Sequence, residues 1–203
     1  MADHDFEAIE TALKKAVAAL REAGVKFLLG GSLASWARGG PETHHDLDLI
    51  VKPEDAEVAL EALEAKGMRP ERPPEEWLYK AWDGEVLIDV IFEPRGLPVT
   101  DEVIARGEEL QVLGMTVPTM ALEDVLATKL LALTEHRLDY SSPLEMSRAL
   151  REQIDWRTLR ARTRGSPYAA AFFVLVEELG VIPEEHVSRG AEVRVITPPP
   201  AGS

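Results

Sequence analysis

Residues 27–51 read Phe27-Leu-Leu-Gly30-Gly31-Ser32-Leu-Ala-Ser-Trp-Ala-Arg38-Gly-Gly-Pro-Glu-Thr-His44-His45-Asp46-Leu-Asp48-Leu-Ile-Val51. An apolar run ends in Gly30-Gly31-Ser32, a turn whose backbone N–H groups can approach an anion closely. Leu33 to Ala37 reads as a short helix leaving that turn. Fourteen residues after Ser32, Asp46 opens a second apolar run that also carries Asp48. On a strand these two carboxylates share one face, about 6.6 Å apart along the chain. Such a pair suits hard cations and a triphosphate better than it suits a protein core.

Working outward, Glu85-Val-Leu-Ile-Asp89-Val-Ile-Phe92 is a further apolar strand with one carboxylate at its centre. A charge there is costly unless it is paired, for instance with an arginine, or bound to metal. Each part has an ordinary structural explanation. Gly-Gly is common in turns, and alternating aspartates can line a solvated strand edge. Together, in this order and with strand, turn, helix and strand between them, they resemble the nucleotidyltransferase superfamily of the DNA polymerase β type. That resemblance implies an α+β fold: a small mixed β-sheet with flanking helices, followed by a mostly helical C-terminal half. It implies metal ligation and catalysis by Asp46, Asp48 and Asp89, with Asp46 and Asp48 bridging two Mg²⁺ ions (or Mn²⁺). Asp89 would hold the ion near the incoming hydroxyl and help deprotonate it. Ser32, with the amides of Gly31 and Ser32 and the turn residue Gly30, would bind the β- or γ-phosphate of an NTP such as ATP.

Further along, Leu122, Val125, Leu126, Leu130 and Leu133 form a helical apolar stripe, and Lys129 falls within it. A lysine there either snorkels to water or meets a negative partner. Leu122-Glu-Asp-Val-Leu-Ala-Thr-Lys129-Leu-Leu-Ala-Leu133 resembles a segment of the AbiEii-like toxin nucleotidyltransferases, in which such a lysine contacts nucleotide. Asp139 is the nearest match to an aspartate that follows in those proteins, and it could equally cap a turn. Arg38, one short helix beyond Ser32, is placed either to touch phosphate or to lie on the surface. His44 and His45 lack the i, i+4 spacing of helical zinc sites and read as loop residues near the mouth of the site. Trp77, Trp82 and Phe92 read as sheet packing.

The remaining helical and strand pattern gives a catalytic domain over 1–117, a helical domain over 118–190 and a disordered tail over 191–203. Helices are expected near 6–23, 56–66, 101–106, 120–136, 155–162 and 167–179, with a further start at Ser142-Pro143. Thr119 is expected to cap the fourth of these, and Ser142-Pro143 with Glu145 to form a capping box. Trp77 to Trp82 and Glu85 to Phe92 flank Asp83-Gly84, a two-residue hairpin turn.

Composition bounds the partners. The 203 residues carry a net charge of −14, which argues against a general nucleic-acid binder. Six arginines between 148 and 164 (Arg148, Arg151, Arg157, Arg160, Arg162, Arg164) nevertheless concentrate positive charge in one region. There is no cysteine, so no disulfide or thiolate zinc site exists, in keeping with a reducing cytoplasm. The acidic N-terminus does not read as a secretory leader, and no apolar run is long enough to span a membrane.

The toxin resemblance implies transfer of a nucleotide to the 3′ end of tRNA, restrained by an antitoxin protein. Gly30 to Gly39 followed by Thr43 to Asp48 also resembles aminoglycoside and lincosamide nucleotidyltransferases, which implies a small-molecule acceptor. An acidic chain suits a cationic drug. The third expectation is a non-catalytic nucleotide-binding protein of the same fold.

Overall fold

The computed structural model describes residues 2–41 and 46–182. His44, His45 and the expected tail over 191–203 lie outside them. Helix α1 (Ala2–Glu22) leads into β1 (Phe27–Leu29), and α2 (Gly31–Trp36) follows at once. β2 (Asp46–Val51) is followed by a 3-10 turn, Pro53–Asp55, and by α3 (Ala56–Ala65). Three strands come next: β3 (Arg69–Glu71), β4 (Leu78–Asp83) and β5 (Val86–Ile91). α4 (Asp101–Ala105), β6 (Glu108–Val112) and β7 (Met115–Thr119) lead to four helices. These are α5 (Leu122–Leu131), α6 (Ser141–Leu150), α7 (Trp156–Arg162) and α8 (Pro167–Glu178).

All strands join one mixed sheet in the order β3-β4-β5-β2-β1-β7-β6. The central pair β2–β5 is parallel, and β1 runs antiparallel to β2. Alternation sends Leu47, Leu49, Val51, Ile88 and Val90 to one face, where they pack with Leu13, Val17 and Leu20 of α1 and with Leu60 and Leu63 of α3. Leu28 and Ile50 point to the other face and pack in a second core with Met120, Leu126, Leu130 and the C-terminal helices. Asp46 and Asp48 share the parity of Ile50, so they belong to this second face.

Several local expectations need correction. α5 runs from Leu122 to Leu131, not from Met120 to His136, and Thr134 and Arg137 instead form an isolated bridge. Thr119 does not cap it. Its hydroxyl donates to the Val117 carbonyl, and its backbone pairs with Leu29 in the sheet. α6 has no capping box. The Ser141 N–H donates to Asp139 Oδ1 (2.8 Å), and the helix begins one residue before the expected Ser142. The β4–β5 loop is Gly84-Glu85 rather than Asp83-Gly84, since Asp83 still pairs with Val86. Arg69–Glu71 forms an edge strand that the sequence pattern does not announce. The two later helices start within a residue of their expected spans, capped by the side chains of Asp155 and Ser166.

Candidate active site

The turn after β1 is built around glycine. The Gly30 N–H donates to the Asp48 carbonyl (2.8 Å), continuing the β1–β2 ladder by one residue. Gly31 has φ +58°, and a Cβ on it would lie 1.6 Å from Asp48 Oδ2. The second glycine therefore lets the turn pass directly over the Asp48 carboxylate. Gly30 is confined to a lesser degree, because its Cβ would meet the Ile50 side chain at 2.9 Å.

Parallel pairing of β2 with β5 sets Asp48 opposite Asp89. Directly opposed residues share a face, and Asp46 is two residues before Asp48 on that same face. All three carboxylates thus lie on the side of the sheet that α5 packs against. Asp89 is in turn opposite Lys80 of β4, whose Nζ lies 3.0 Å from Asp89 Oδ1. The partner of Asp89 is therefore a lysine, not the arginine that its sequence alone allows.

Charge compensation across the three is uneven. Among the described residues Asp48 makes no ion pair, and burial, with Asp89 and Asp46 nearby, pushes its carboxyl up to about 7. Lys129 is the cation that opposes this rise most. Burial also lowers the Lys129 ammonium below the usual lysine value, against the pull of Asp48. Burial raises the Asp89 carboxyl as well, against the hydrogen bond from Lys80.

Asp48, Gly31 and Lys129 open into a cavity of about 910 Å³. Its floor is apolar, with Ile50, Ile91 and Met120. Thr128, Lys129 and Arg137 come from α5 and the segment after it, and Arg95 sits beside Gly96, which packs on Leu131 of α5. Glu76, Trp77 and Glu93 contribute an acidic and aromatic part. Trp77 is 42% exposed, so it lines the cavity instead of packing the sheet as expected. The N–H groups of Phe92 and Glu93 both donate to its carbonyl, which fixes the loop. Phe92 does pack, against Tyr79, and Trp82 lies under Arg69.

The other sequence-selected residues lie elsewhere. Ser32 lines a small neighbouring cavity of about 70 Å³ with Ser35, Ser142 and Glu145. Arg38 is turned inward, donating to the carbonyls of Ala34 and Met120 (both 2.9 Å) and pairing with Glu108. Asp139 is exposed at the start of α6, where its bond to Ser141 lowers its carboxyl below the usual value. Of the six clustered arginines, Arg162 pairs with buried Asp124, Arg160 with Glu177 and Arg151 with Glu152. Arg148, Arg157 and Arg164 are exposed.

A divalent cation is implied by the resemblance. Among the described residues no three acidic or imidazole side chains are arranged to hold an ion as they stand. The donor chemistry nevertheless fits. Asp48 is a half-buried carboxylate with no ion-pair partner, Asp46 shares its face, and both offer the hard oxygens that Mg²⁺ prefers. Such a face can hold a cation and an anion side by side beneath one cavity.

Comparison with known proteins agrees with this architecture. The profile of a family described as uncharacterised nucleotidyltransferase matches residues 1–177. No curated protein matches the chain in sequence. Among solved structures, ANT(2″)-Ia in complex with adenylyl-2″-tobramycin superposes with a TM-score of 0.60 at 18% identity, covering 80% of this chain and 98% of that one. A solution structure of the antibiotic-resistance factor ANT(2″)-Ia gives 0.60 at 16% identity, covering 89% and 99%. A nucleotidyltransferase-like protein from Thermotoga maritima gives 0.50 at 17% identity, covering 64% and 86%. At these identities the likeness is one of fold. Among the described residues, no helix is long and apolar enough to cross a membrane.

Proposed function

The chain belongs to the uncharacterised nucleotidyltransferase family, and from that premise we propose that it transfers a nucleoside monophosphate from an NTP to a hydroxyl of a small cationic acceptor, in a Mg²⁺-dependent reaction. The observation that supports this most is the register that sets Asp48 opposite Asp89, beside the Gly30-Gly31 turn. Asp46 and Asp48 would hold the cation, for which Mn²⁺ can substitute. When bound, it polarises the α-phosphoryl group and neutralises charge on the leaving oxygen. Lys129 and the amide groups at Gly31 and Ser32 would hold the triphosphate, with Lys129 meeting charge that grows as pyrophosphate departs. Asp89 would take the proton of the acceptor hydroxyl. The acceptor oxygen bonds to Pα as the bond from Pα to the pyrophosphate oxygen breaks, and pyrophosphate leaves.

The acceptor class follows from the far part of the cavity. Trp77 offers a ring face and Glu76 and Glu93 offer negative charge to cationic and apolar parts of an acceptor, while Arg95 and Arg137 of the same lining balance that charge. ANT(2″)-Ia, seen with adenylyl-2″-tobramycin, has the same fold, which supports the aminoglycoside or lincosamide reading over the others. The second reading is a toxin that extends the 3′ end of tRNA and is held in check by an antitoxin. Exposed Arg148, Arg157 and Arg164 favour it, although internal pairing of Arg160 and Arg162 shortens the phosphate track they could form.

The experiment offers each α-labelled NTP with Mg²⁺ to an aminoglycoside and lincosamide panel and, separately, to total tRNA. Label on a drug, with pyrophosphate released in step, is the expected result. Label on tRNA alone would transfer the assignment to the toxin reading. Nucleotide binding without transfer to either would leave a non-catalytic role.

A further inference from the structure

Across one face of the sheet runs a row of directly opposed residues. Glu71 of β3 faces Lys80 of β4, Lys80 faces Asp89 of β5, and Asp89 faces Asp48 of β2. The Gly30 turn closes the row on Asp48. The triad of carboxylates is therefore continued by an ammonium delivered through backbone register. A slip of one residue in the β4–β5 hairpin would send Lys80 to the opposite face.

Lys80 is not a surface lysine that happens to reach an acid. Its side chain is 24% exposed and that of Asp89 17% exposed, with Nζ 3.0 Å from Oδ1. Asp46, Asp48 and Asp89 bring three negative charges to this face, and Lys80 and Lys129 bring two positive charges, while Glu71 at the end of the row is met by Arg69 and by the Trp82 indole N–H. A single divalent ion beside Asp46 and Asp48 balances what remains and leaves a positive surplus for the incoming triphosphate. A second ion on Asp89 would share one carboxylate with an ammonium, and two cations so close in a partly dry site repel strongly.

We infer that Lys80 supplies at Asp89 the positive charge that a second divalent ion would otherwise supply, so that the site takes one divalent ion per chain, at Asp46 and Asp48. The inference rests on the nucleotidyl-transfer reading and replaces its two-ion form. Lys80 is then a positioning residue. Its hydrogen bond occupies Asp89 Oδ1, and Oδ2 is the oxygen left for the acceptor's proton.

Mn²⁺ counting tests this without turnover. Free Mn²⁺ is measured by electron paramagnetic resonance as it is titrated into the full chain, with each of the four α,β-methylene nucleoside triphosphates in turn, and the titration of the same nucleotide without protein is subtracted. The expected result is one bound ion per wild-type chain, two for Lys80→Met and one for Lys80→Arg. Two ions in the wild type, or one in both wild type and Lys80→Met, would overturn the inference while leaving nucleotidyl transfer standing. The wild-type count is decisive even if Lys80→Met fails to fold. No ion bound with any nucleotide would overturn both readings together.

Discussion

Gly31 is the residue on which the turn depends. Its backbone is left-handed, and its missing Cβ leaves room for the Asp48 carboxylate. Gly31→Ala must therefore move either the turn or Asp48. A non-glycine residue in this conformation costs about 1–3 kcal/mol, and a displacement near 1 Å at a reacting centre can cost about 100-fold in rate. The expected outcome is a folded protein with kcat/KM down by at least about 100-fold, read by pyrophosphate release. Asp48 carries the opposite balance, a buried carboxylate that costs stability. Its folded pKa, about 7, lies above the ordinary 3.8. Well below pH 3.8 the carboxyl is neutral in both folded and unfolded chains, so it costs nothing. As pH rises toward 7 the unfolded chain releases its proton while the folded chain retains it, and stability falls. Without added metal, Asp48→Asn should be more stable than the wild type at pH 8, by about 1–3 kcal/mol, with the gap closing by pH 4. Urea melts at the two pH values check this, and a constant gap would contradict it.

These residues are legible in the sequence because glycine and aspartate are informative in themselves. Gly30-Gly31, Asp46, Asp48 and Asp89 stand out against apolar neighbours without knowledge of their partners. Lys80 does not stand out, and the reason is geometric. With the turn at Asp83-Gly84, Lys80 would face Leu87. With the turn at Gly84-Glu85, it faces Asp89. A shift of one residue in the loop hides the ion pair. Trp77 is illegible for a related reason, since nothing in its flanking residues tells a packed indole from one lining a cavity.

At the scale of elements, α5 joins the two halves of the site. It carries Thr128 and Lys129 to the cavity, and its first turn is anchored by Asp124, whose side chain is fully buried. Arg106, just past α4, lies 2.9 Å from Asp124 Oδ2, and Arg162 at the end of α7 lies 2.7 Å from Oδ1. Leaving a buried charge unpaired costs about 3–5 kcal/mol, and Arg106 and Arg162 still reach water, so Asp124→Ala should lower unfolding stability by less than that in denaturant melts. It should also weaken NTP binding, because Lys129 is placed from the same helix. Lys129→Met, by contrast, should lose NTP affinity with stability unchanged or raised, since a half-buried ammonium is removed. The extent of α5 cannot be read from the chain, because the side chain that looks like its cap, Thr119, is engaged within β7. β3 is hidden by Pro70, which reads as a strand breaker but is tolerated at a sheet edge.

At the scale of the molecule, the sheet separates a closed apolar face from the face that carries the candidate site. One face is closed by α1 and α3, and the other carries Asp46, Asp48 and Asp89, of which Asp48 lines the cavity. The net charge of −14 gives the chain as a whole a field that attracts cations. For a cationic acceptor, raising NaCl from about 50 to 300 mM should raise KM several-fold and change kcat little, as screening shortens the reach of the field. A KM independent of salt would argue that the acceptor is not cationic. Most directly, Mg²⁺-dependent transfer of labelled nucleotide can be compared for the wild type, Asp48→Asn and Asp89→Asn, each confirmed as folded. A carboxylate site shared by β2 and β5 requires transfer by the wild type and a loss of about 1,000-fold or more in both variants, roughly 4 kcal/mol of barrier. Undiminished transfer by either variant would contradict it.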